Sequence, residues 1–213
     1  MSQVRLFIAR HGETDYNKKG LLQGRGIDAP LNETGKLQAK KLSDYLKSYD
    51  INGVFCSNLQ RTWQTAKPYR ELSGIEIIKD KNLDEMDFGD FEGVSYSEIS
   101  EEINRVQQSW QKGDTSVNIP GGESPDQVFE RANDAVQTII SNHIGDTLTL
   151  IIHGRLIRIL LSEWLGYGLK NMHKIDHTNG GVNQIVFNKN SFTSVYLNKT
   201  AHLADLEKSV LNG

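Results

Sequence analysis

Arg10, His11, Gly12, Glu13 and Thr14 follow directly on the apolar run Val4 to Ala9. A histidine in that place can act as a nucleophile, and an arginine as a bidentate clamp for phosphate oxygens. Gly12 removes a side chain where backbone must approach a ligand. Arg61 lies four residues after Ser57, in the first turn of an expected helix, and can bring a second guanidinium to the same place. His153, followed by Gly154, closes the wholly apolar run Leu148 to Ile152. Glu85 stands in the acidic stretch Leu83-Asp84-Glu85-Met86-Asp87-Phe88-Gly89. Taken singly, each has an ordinary explanation. A strand-terminal Arg-His pair is commonly structural, a lone arginine is usually solvated, a strand-end histidine is often a cap or core group, and acids crowd surface loops. Together, two arginines, two histidines and one carboxylate suit phosphoryl transfer, because each meets a different need of that reaction.

For the set to work, the fold must gather segments about 140 residues apart. The chain of 213 residues is 37% hydrophobic and 24% charged, enough to bury a sizeable core without a disulfide or metal staple. No low-complexity tract, repeat or linker divides it, so a single domain over 1–213 is expected. A net charge of −3 argues against a broad nucleic-acid or anionic-membrane footprint. The lone Cys56 has no partner for an internal disulfide, which fits a reducing compartment. The first apolar run is too short for a signal peptide, and no stretch reaches the roughly 20 apolar residues of a membrane span. A cytoplasmic protein is expected, with neither membrane nor nucleic acid as partner; a homodimer remains compatible with the sequence.

Short apolar runs alternate with longer amphipathic stretches. Val4 to Ala9, Ile51 to Cys56, Ile75 to Ile78 and Leu148 to Ile152 read as strands. Gly35, Ala39, Leu42, Leu46 and Tyr49 form one helical stripe, and residues 95–110 carry another. A loop over 111–123 ends in Pro120-Gly121-Gly122. Ser124-Pro125-Asp126-Gln127 resembles a capping box with proline at the first helical position. Leu156 to Leu165 is an apolar helix, and Val182 to Phe187 and Phe192 to Leu197 form a hairpin about Asn188-Lys189-Asn190-Ser191. The alternation implies an α/β fold: a three-layer α/β/α sandwich with a mostly parallel central sheet. Right-handed crossovers then bring the carboxyl ends of parallel strands to one rim, where ligands bind.

The chain resembles the histidine phosphatase superfamily, the phosphoglycerate mutase-like fold. The resemblance rests on Arg10-His11-Gly12-Glu13-Thr14 with Asn17, on Gln23-Gly24 and on Pro30-Leu31-Asn32-Glu33-Thr34-Gly35. It continues through Ser57-Asn58-Leu59-Gln60-Arg61-Thr62 with Thr65, Glu85 to Gly93, Gly121-Gly122-Glu123-Ser124 and His153-Gly154. It implies that His11 becomes phosphohistidine, that Arg10, Arg61 and His153 hold the phosphoryl oxygens, and that Glu85 is the general acid. Asn17, Gln23, Gly24 and Gly154 are then phosphate- or substrate-binding positions. His11 must be neutral, and the flanking arginines favour that state. Glu85 must hold a proton near neutrality. No metal and no cofactor is called for, since the arginines neutralise charge.

Asn58 and Ile152 stand where proline and serine are usual in the family, and Arg155 where a small or neutral residue is commoner. Arg155 reads as pointing into solvent; the alternative is a rim cation for a second phosphate or carboxylate. The segment of about 86–123, an insert or lid, has only Arg105 and Lys112 as cations, without the paired arginines of classical mutases. A phosphomonoesterase acting on small phosphorylated metabolites is therefore expected, ahead of a phosphoglycerate mutase and of a non-catalytic binding protein of the same fold. The loop Gln23 to Leu31 resembles fructose-2,6-bisphosphatase-like members, while α-ribazole phosphate or a broad substrate range stay open. Phe88, Phe91, Tyr96 and Trp110 are read first as helix packing and second as a pocket wall. His173 and His177 lack a third clustered ligand and read as rim or surface groups.

Overall fold

A computed structural model describes residues 3–206. Near the chain end Leu203 is buried, and residues 207–213 lie outside the described residues. The apolar runs become β1 (Val4–Arg10), β2 (Gly53–Cys56), β3 (Ile77–Lys79) and β4 (Thr147–Ile152), followed by the hairpin β5 (Val182–Asn188) and β6 (Ser191–Lys199). Between them run α1 (Asp15–Lys18), α2 (Glu33–Leu46), α3 (Gln60–Ser73), α4 (Ser100–Gln111), α5 (Pro125–Ser141) and α6 (Gly154–Trp164). One six-stranded sheet has the order β3-β2-β4-β1-β5-β6. Pairing is parallel from β3 through β1 and antiparallel for β1 with β5 and β5 with β6. The hairpin turns through Lys189 and Asn190 at φ 48° and 62°, the left-handed geometry of the tightest hairpins.

Both faces of the sheet are covered, and the alternation along β1 shows how. Val4, Leu6 and Ile8 join Leu148, Leu150 and Ile152 against α5 and α6. Phe7 and Ala9 face the other way, with Val54, Cys56 and Ile151, against Leu42 and Leu46 of α2 and Ala66 and Tyr69 of α3. Each fully buried aliphatic side chain contributes about 1.5–3 kcal/mol, so the two layers clamp the sheet from both sides.

Element boundaries move where local chemistry intervenes. The helix expected from residue 95 starts at Ser100, because Ser95 and Glu98 close a turn first: the Ser95 hydroxyl donates to the Glu98 carboxylate at 2.6 Å. Tyr49 leaves the α2 stripe and packs on Phe7, ring centroids 4.4 Å apart. α6 begins at Gly154, two residues earlier than its apolar stripe suggests.

The rim is set by strand register. Arg10 pairs with Ile152 across β1 and β4, and Ile151 pairs with Cys56 of β2. The ladder runs one residue further, where the His11 amide donates to the Ile152 carbonyl at 3.0 Å. Residues just past these strand ends therefore emerge side by side.

The capping box at α5 is present as expected: the Ser124 hydroxyl accepts from the Gln127 amide, and the Gln127 side chain accepts from the Ser124 amide at 3.0 Å. Ser124→Ala should cost about 1 kcal/mol, read as a lower urea midpoint with unchanged m-value; an unchanged midpoint would mean the box contributes nothing.

Candidate active site

His11 and His153 stand beyond β1 and β4 with ring centroids 5.2 Å apart and planes at 61°. The first turn of α3 is tied to them. The Gly12 amide donates to the Thr65 hydroxyl at 2.9 Å, and that hydroxyl donates to the Arg61 carbonyl at 2.7 Å. Gly12 has no room for a side chain: a Cβ there would lie 2.5 Å from the Gly35 carbonyl oxygen.

Hydrogen bonding fixes the state of both rings. Nδ1 of His11 faces the Gly12 carbonyl oxygen at 2.7 Å and must donate to it. In the neutral ring Nε2 then carries the free lone pair. Burial, then the charges of Arg61 and Arg10, hold His11 well below its ordinary range. His153 is depressed in the same way, by burial and then by Arg61. Its Nδ1 accepts from Arg61 Nε at 3.2 Å, and its Nε2 donates to the Ser57 hydroxyl at 2.8 Å. The expected donor role of His153 therefore meets a constraint: the neutral ring has no N–H to spare.

The arginines are held differently. Arg61 is fully buried; besides His153 it donates through Nη1 to the Ile27 carbonyl at 2.7 Å and through Nη2 to the Gly24 carbonyl at 3.1 Å. Arg10 donates through Nη1 to Nδ1 and to the carbonyl of His177, both at 3.0 Å. Its Nε is buried without a hydrogen-bond partner among the described residues, as is Nε2 of Gln23. Burial pulls both guanidiniums down to about 10, so they stay charged at neutral pH. Gly154 must be small: a Cβ would lie 2.9 Å from His177 Nδ1 and 3.1 Å from Arg10 Nε.

Glu85 is buried where α6 begins. Its Oε1 accepts from the amides of Met86 and Leu156 at 2.9 and 3.0 Å, and Oε2 from the Arg155 amide at 3.0 Å. Oε2 takes a single bond, so it has a lone pair left for a proton. Arg131 of α5 pins the segment from behind: it donates to the carbonyls of Asn82, Asp84 and Glu85 at 2.8, 2.9 and 3.0 Å and grips Glu123.

A cavity of about 490 Å³ opens here, lined among others by Arg10, Asn17, Gln23, Glu85, Gly154 and His177. His11, Arg61 and His153 are buried at 3%, 0% and 0% exposure. Asn17 Oδ1 accepts from Asn179 Nδ2 at 3.1 Å, and the same Nδ2 donates to the His11 carbonyl at 3.0 Å. The Gly24 carbonyl is committed to Arg61. The residues expected at the rim are thus brought together. Among the described residues, no group of His, Cys, Asp and Glu is placed to hold a metal ion.

Two expectations need correction. Arg155 does not point into solvent: it is 9% exposed, lines the cavity and lies over the rings of Phe88 and Trp110 at 5.9 and 5.7 Å. Two aromatic rings within 6 Å offer the guanidinium more than water does. Of the four aromatics read first as helix packing, Phe88 and Trp110 do both, packing in the core and lining the cavity; exposed Tyr96 lines the cavity, and Phe91 only packs in the core. The sequence reading missed Arg158 and Asn179. Arg158 was findable, three residues after Arg155 on one helix face; Asn179 sits in a loop with no distinguishing signal.

The family model of the histidine phosphatase superfamily (branch 1) matches residues 6–200. Phosphoserine phosphatase 1 of Hydrogenobacter thermophilus is 28% identical over 202 residues, covering 95% of each chain. Phosphoglycerate mutase-like protein 4 of Arabidopsis thaliana is 34% identical over 158 residues, 73% of this chain and 68% of that one. A mycobacterial glucosyl-3-phosphoglycerate phosphatase solved with VO3 superposes with a TM-score of 0.81 at 25% identity, covering 92% of this chain and 99% of its own.

The depressed histidines make stability depend on pH. In the unfolded chain both rings titrate near 6.5. Below that pH the unfolded state binds protons that the folded state refuses. Stability is complete above about pH 6.5 and falls as pH drops, by about 1.4 kcal/mol per pH unit for each ring. Urea unfolding followed from pH 7.5 to 5.5 should show a loss of about 1.4 kcal/mol per ring over the window, steepening toward one proton per ring at its acid end, with His11→Asn and His153→Asn each removing one ring's share. Equal slopes in all three proteins would mean that the rings titrate normally when folded.

Proposed function

The chain belongs to branch 1 of the histidine phosphatase superfamily and is a phosphoric monoester hydrolase; we propose that it cleaves small phosphorylated metabolites through a phosphohistidine on His11. What carries this reading is the His11 tautomer: with Nδ1–H given to the Gly12 carbonyl, the lone pair is on Nε2, in a ring that burial, and then Arg61 and Arg10, keep uncharged. A neutral imidazole between two fixed cations is a nucleophile already in its reactive state.

In the first step Nε2 attacks phosphorus, the N–P bond forms and the P–O bond to the alcohol breaks. Charge on the three equatorial oxygens is met by Arg10, Arg61 and the Gln23 amide, whose Nε2 is buried without a partner among the described residues. The leaving alkoxide takes the proton from Glu85 Oε2. In the second step Glu85 receives a proton from water as the water oxygen attacks phosphorus; phosphate departs and His11 recovers its lone pair. His153 enters through charge: an arriving phosphoryl dianion counters the two guanidiniums and favours protonation at Nδ1, which then donates to a phosphoryl oxygen. Asn17, Gly24 and Gly154 complete the cradle, the last by leaving Arg10 room.

The insert over 86–123 supplies Phe88, Tyr96, Gln107, Trp110 and Gln111 to the wall rather than cations; Arg105 pairs with Glu101 at an exposed position instead. This supports hydrolysis over mutase chemistry. Among the described residues no helix is long and apolar enough to cross a membrane. A cytoplasmic setting fits the lone Cys56, whose thiol burial pushes up to about 11.

Incubation with p-nitrophenyl phosphate followed by rapid quench should trap acid-labile, base-stable phosphate on the wild-type chain and none on His11→Ala. Glu85→Gln should lower kcat for alkyl phosphates by about 10²–10⁴, and by less for p-nitrophenyl phosphate, whose leaving group needs no proton. Neither label nor p-nitrophenol would favour a non-catalytic binding protein. Isomerisation of 3-phosphoglycerate primed with 2,3-bisphosphoglycerate, if faster than phosphate release, would make the chain a mutase.

A further inference from the structure

The wall of the cavity formed by α6 carries more positive charge than the phosphoryl step uses. Arg155 and Arg158, three residues apart on α6, both line the cavity, as does Lys170. None of the three forms an ion pair among the described residues. The one carboxylate on the cavity wall, Glu85, already accepts three backbone amides. Burial, and then the neighbouring charge of Arg155, depress Arg158. Two like charges are thus kept together with no carboxylate in salt-bridge contact among the described residues; Asp176 and Glu85 act on Arg158 only as more distant charges.

Their geometry is built rather than incidental. The Arg155 guanidinium lies over the rings of Phe88 and Trp110, which fix it against the wall. No hydrogen bond engages the Arg155 side chain among the described residues, so its five donors are available. Arg158 spends only Nε, on the Ile175 carbonyl at 2.8 Å, and keeps both Nη groups. A guanidinium fork with its edge free matches a carboxylate or phosphate in bidentate fashion, which a lysine would not. The cavity of about 490 Å³ falls within the range of small-molecule sites, with room for more than the transferred phosphoryl group.

Resting on the phosphatase reading of this site, we propose that the substrate bears a second oxyanion besides the phosphoryl group that is cleaved, and that Arg155 and Arg158 clamp it at the α6 wall. Arg155 is then a specificity-determining residue. It selects phosphoesters with a carboxylate or a second phosphate over otherwise equal esters that lack one. The Gln107 and Gln111 side chains of α4, which also line the cavity, suit the hydroxyls of the body between the two anions.

Matched ligands test this by titration calorimetry on the full-length His11→Asn chain, which lacks the nucleophile. One pair is 3-phosphoglycerate against glycerol 3-phosphate; the other is fructose 1,6-bisphosphate against fructose 6-phosphate. The first pair reads a carboxylate, the second a phosphate. In at least one pair the bis-anion should bind about 10–100-fold tighter. Adding Arg155→Met, which keeps an apolar filling against the rings, should erase that ratio, and Arg155→Lys should restore only part of it. Arg158→Gln should reduce the same ratio, giving a second reading if the methionine variant does not fold. Equal affinities within both pairs, or a preference that survives Arg155→Met, would overturn the proposal. Wild-type turnover of p-nitrophenyl phosphate is measured alongside. Turnover with equal binding removes the second subsite alone. A preference erased by Arg155→Met in a chain without turnover keeps the subsite and removes the enzyme.

Discussion

Arg61 is buried and Arg10 half-buried, neither forms an ion pair among the described residues, and neutral oxygens and nitrogens answer their charge instead. Arg61 meets two carbonyls and the His153 ring; Arg10 meets the His177 ring and carbonyl. Had a carboxylate sat against either, the local field would be cancelled and an incoming phosphate would find no gain. Left uncancelled, the field does two things together. Together with burial, which is the larger cause, it keeps His11 and His153 unprotonated, and it makes the site receptive to an anion. His177 is drawn into the same pattern: burial and then Arg10 hold it down to about 3, so it accepts from the guanidinium rather than repelling it.

Glu85 has to be near this field without quenching it. Its carboxylate is felt by both arginines as a charge, yet its hydrogen bonds go to backbone amides at the start of α6. Arg131 holds the segment in place by gripping the carbonyls of Asn82, Asp84 and Glu85 while Glu123 neutralises it, itself also reached by Arg25 at 3.3 Å. The charge pairing the site cannot tolerate at its centre is placed one layer behind, where it supports position rather than chemistry.

Much of this was legible in the residue pattern because the causes are local. The apolar run before His153 and the alternation in β1 announce buried strands, and Ser124 with Gln127 announces the start of α5. The parallel-sheet inference then brings His11, Arg61 and His153 to one rim without any knowledge of contacts. Side-chain direction was not legible. Arg155 follows a glycine at a helix start, and whether it meets water or two aromatic rings depends on where Phe88 and Trp110 end up, up to about 70 residues away in the chain. The tautomer of His153 likewise depends on Ser57 and Arg61 both being present, a three-body arrangement that no spacing encodes. The cations on the wall stand on one face of α6, three residues apart, a pattern visible by helix face and hidden in a tally by segment.

The two imidazoles owe their 5.2 Å separation to neighbouring parallel strands whose pairing continues through the His11 amide. Such a spacing is quantised. Sliding one strand by a single residue would turn Leu6 and Ile8 toward the layer that now receives Phe7 and Ala9, so both hydrophobic layers would break together. Intermediate distances are therefore not accessible to gradual drift, and insertions or deletions inside β1 or β4 cannot tune the pair. Variation in reach and selectivity is left to α6, to the 169–177 segment and to the insert, which can change without disturbing the metre of the sheet.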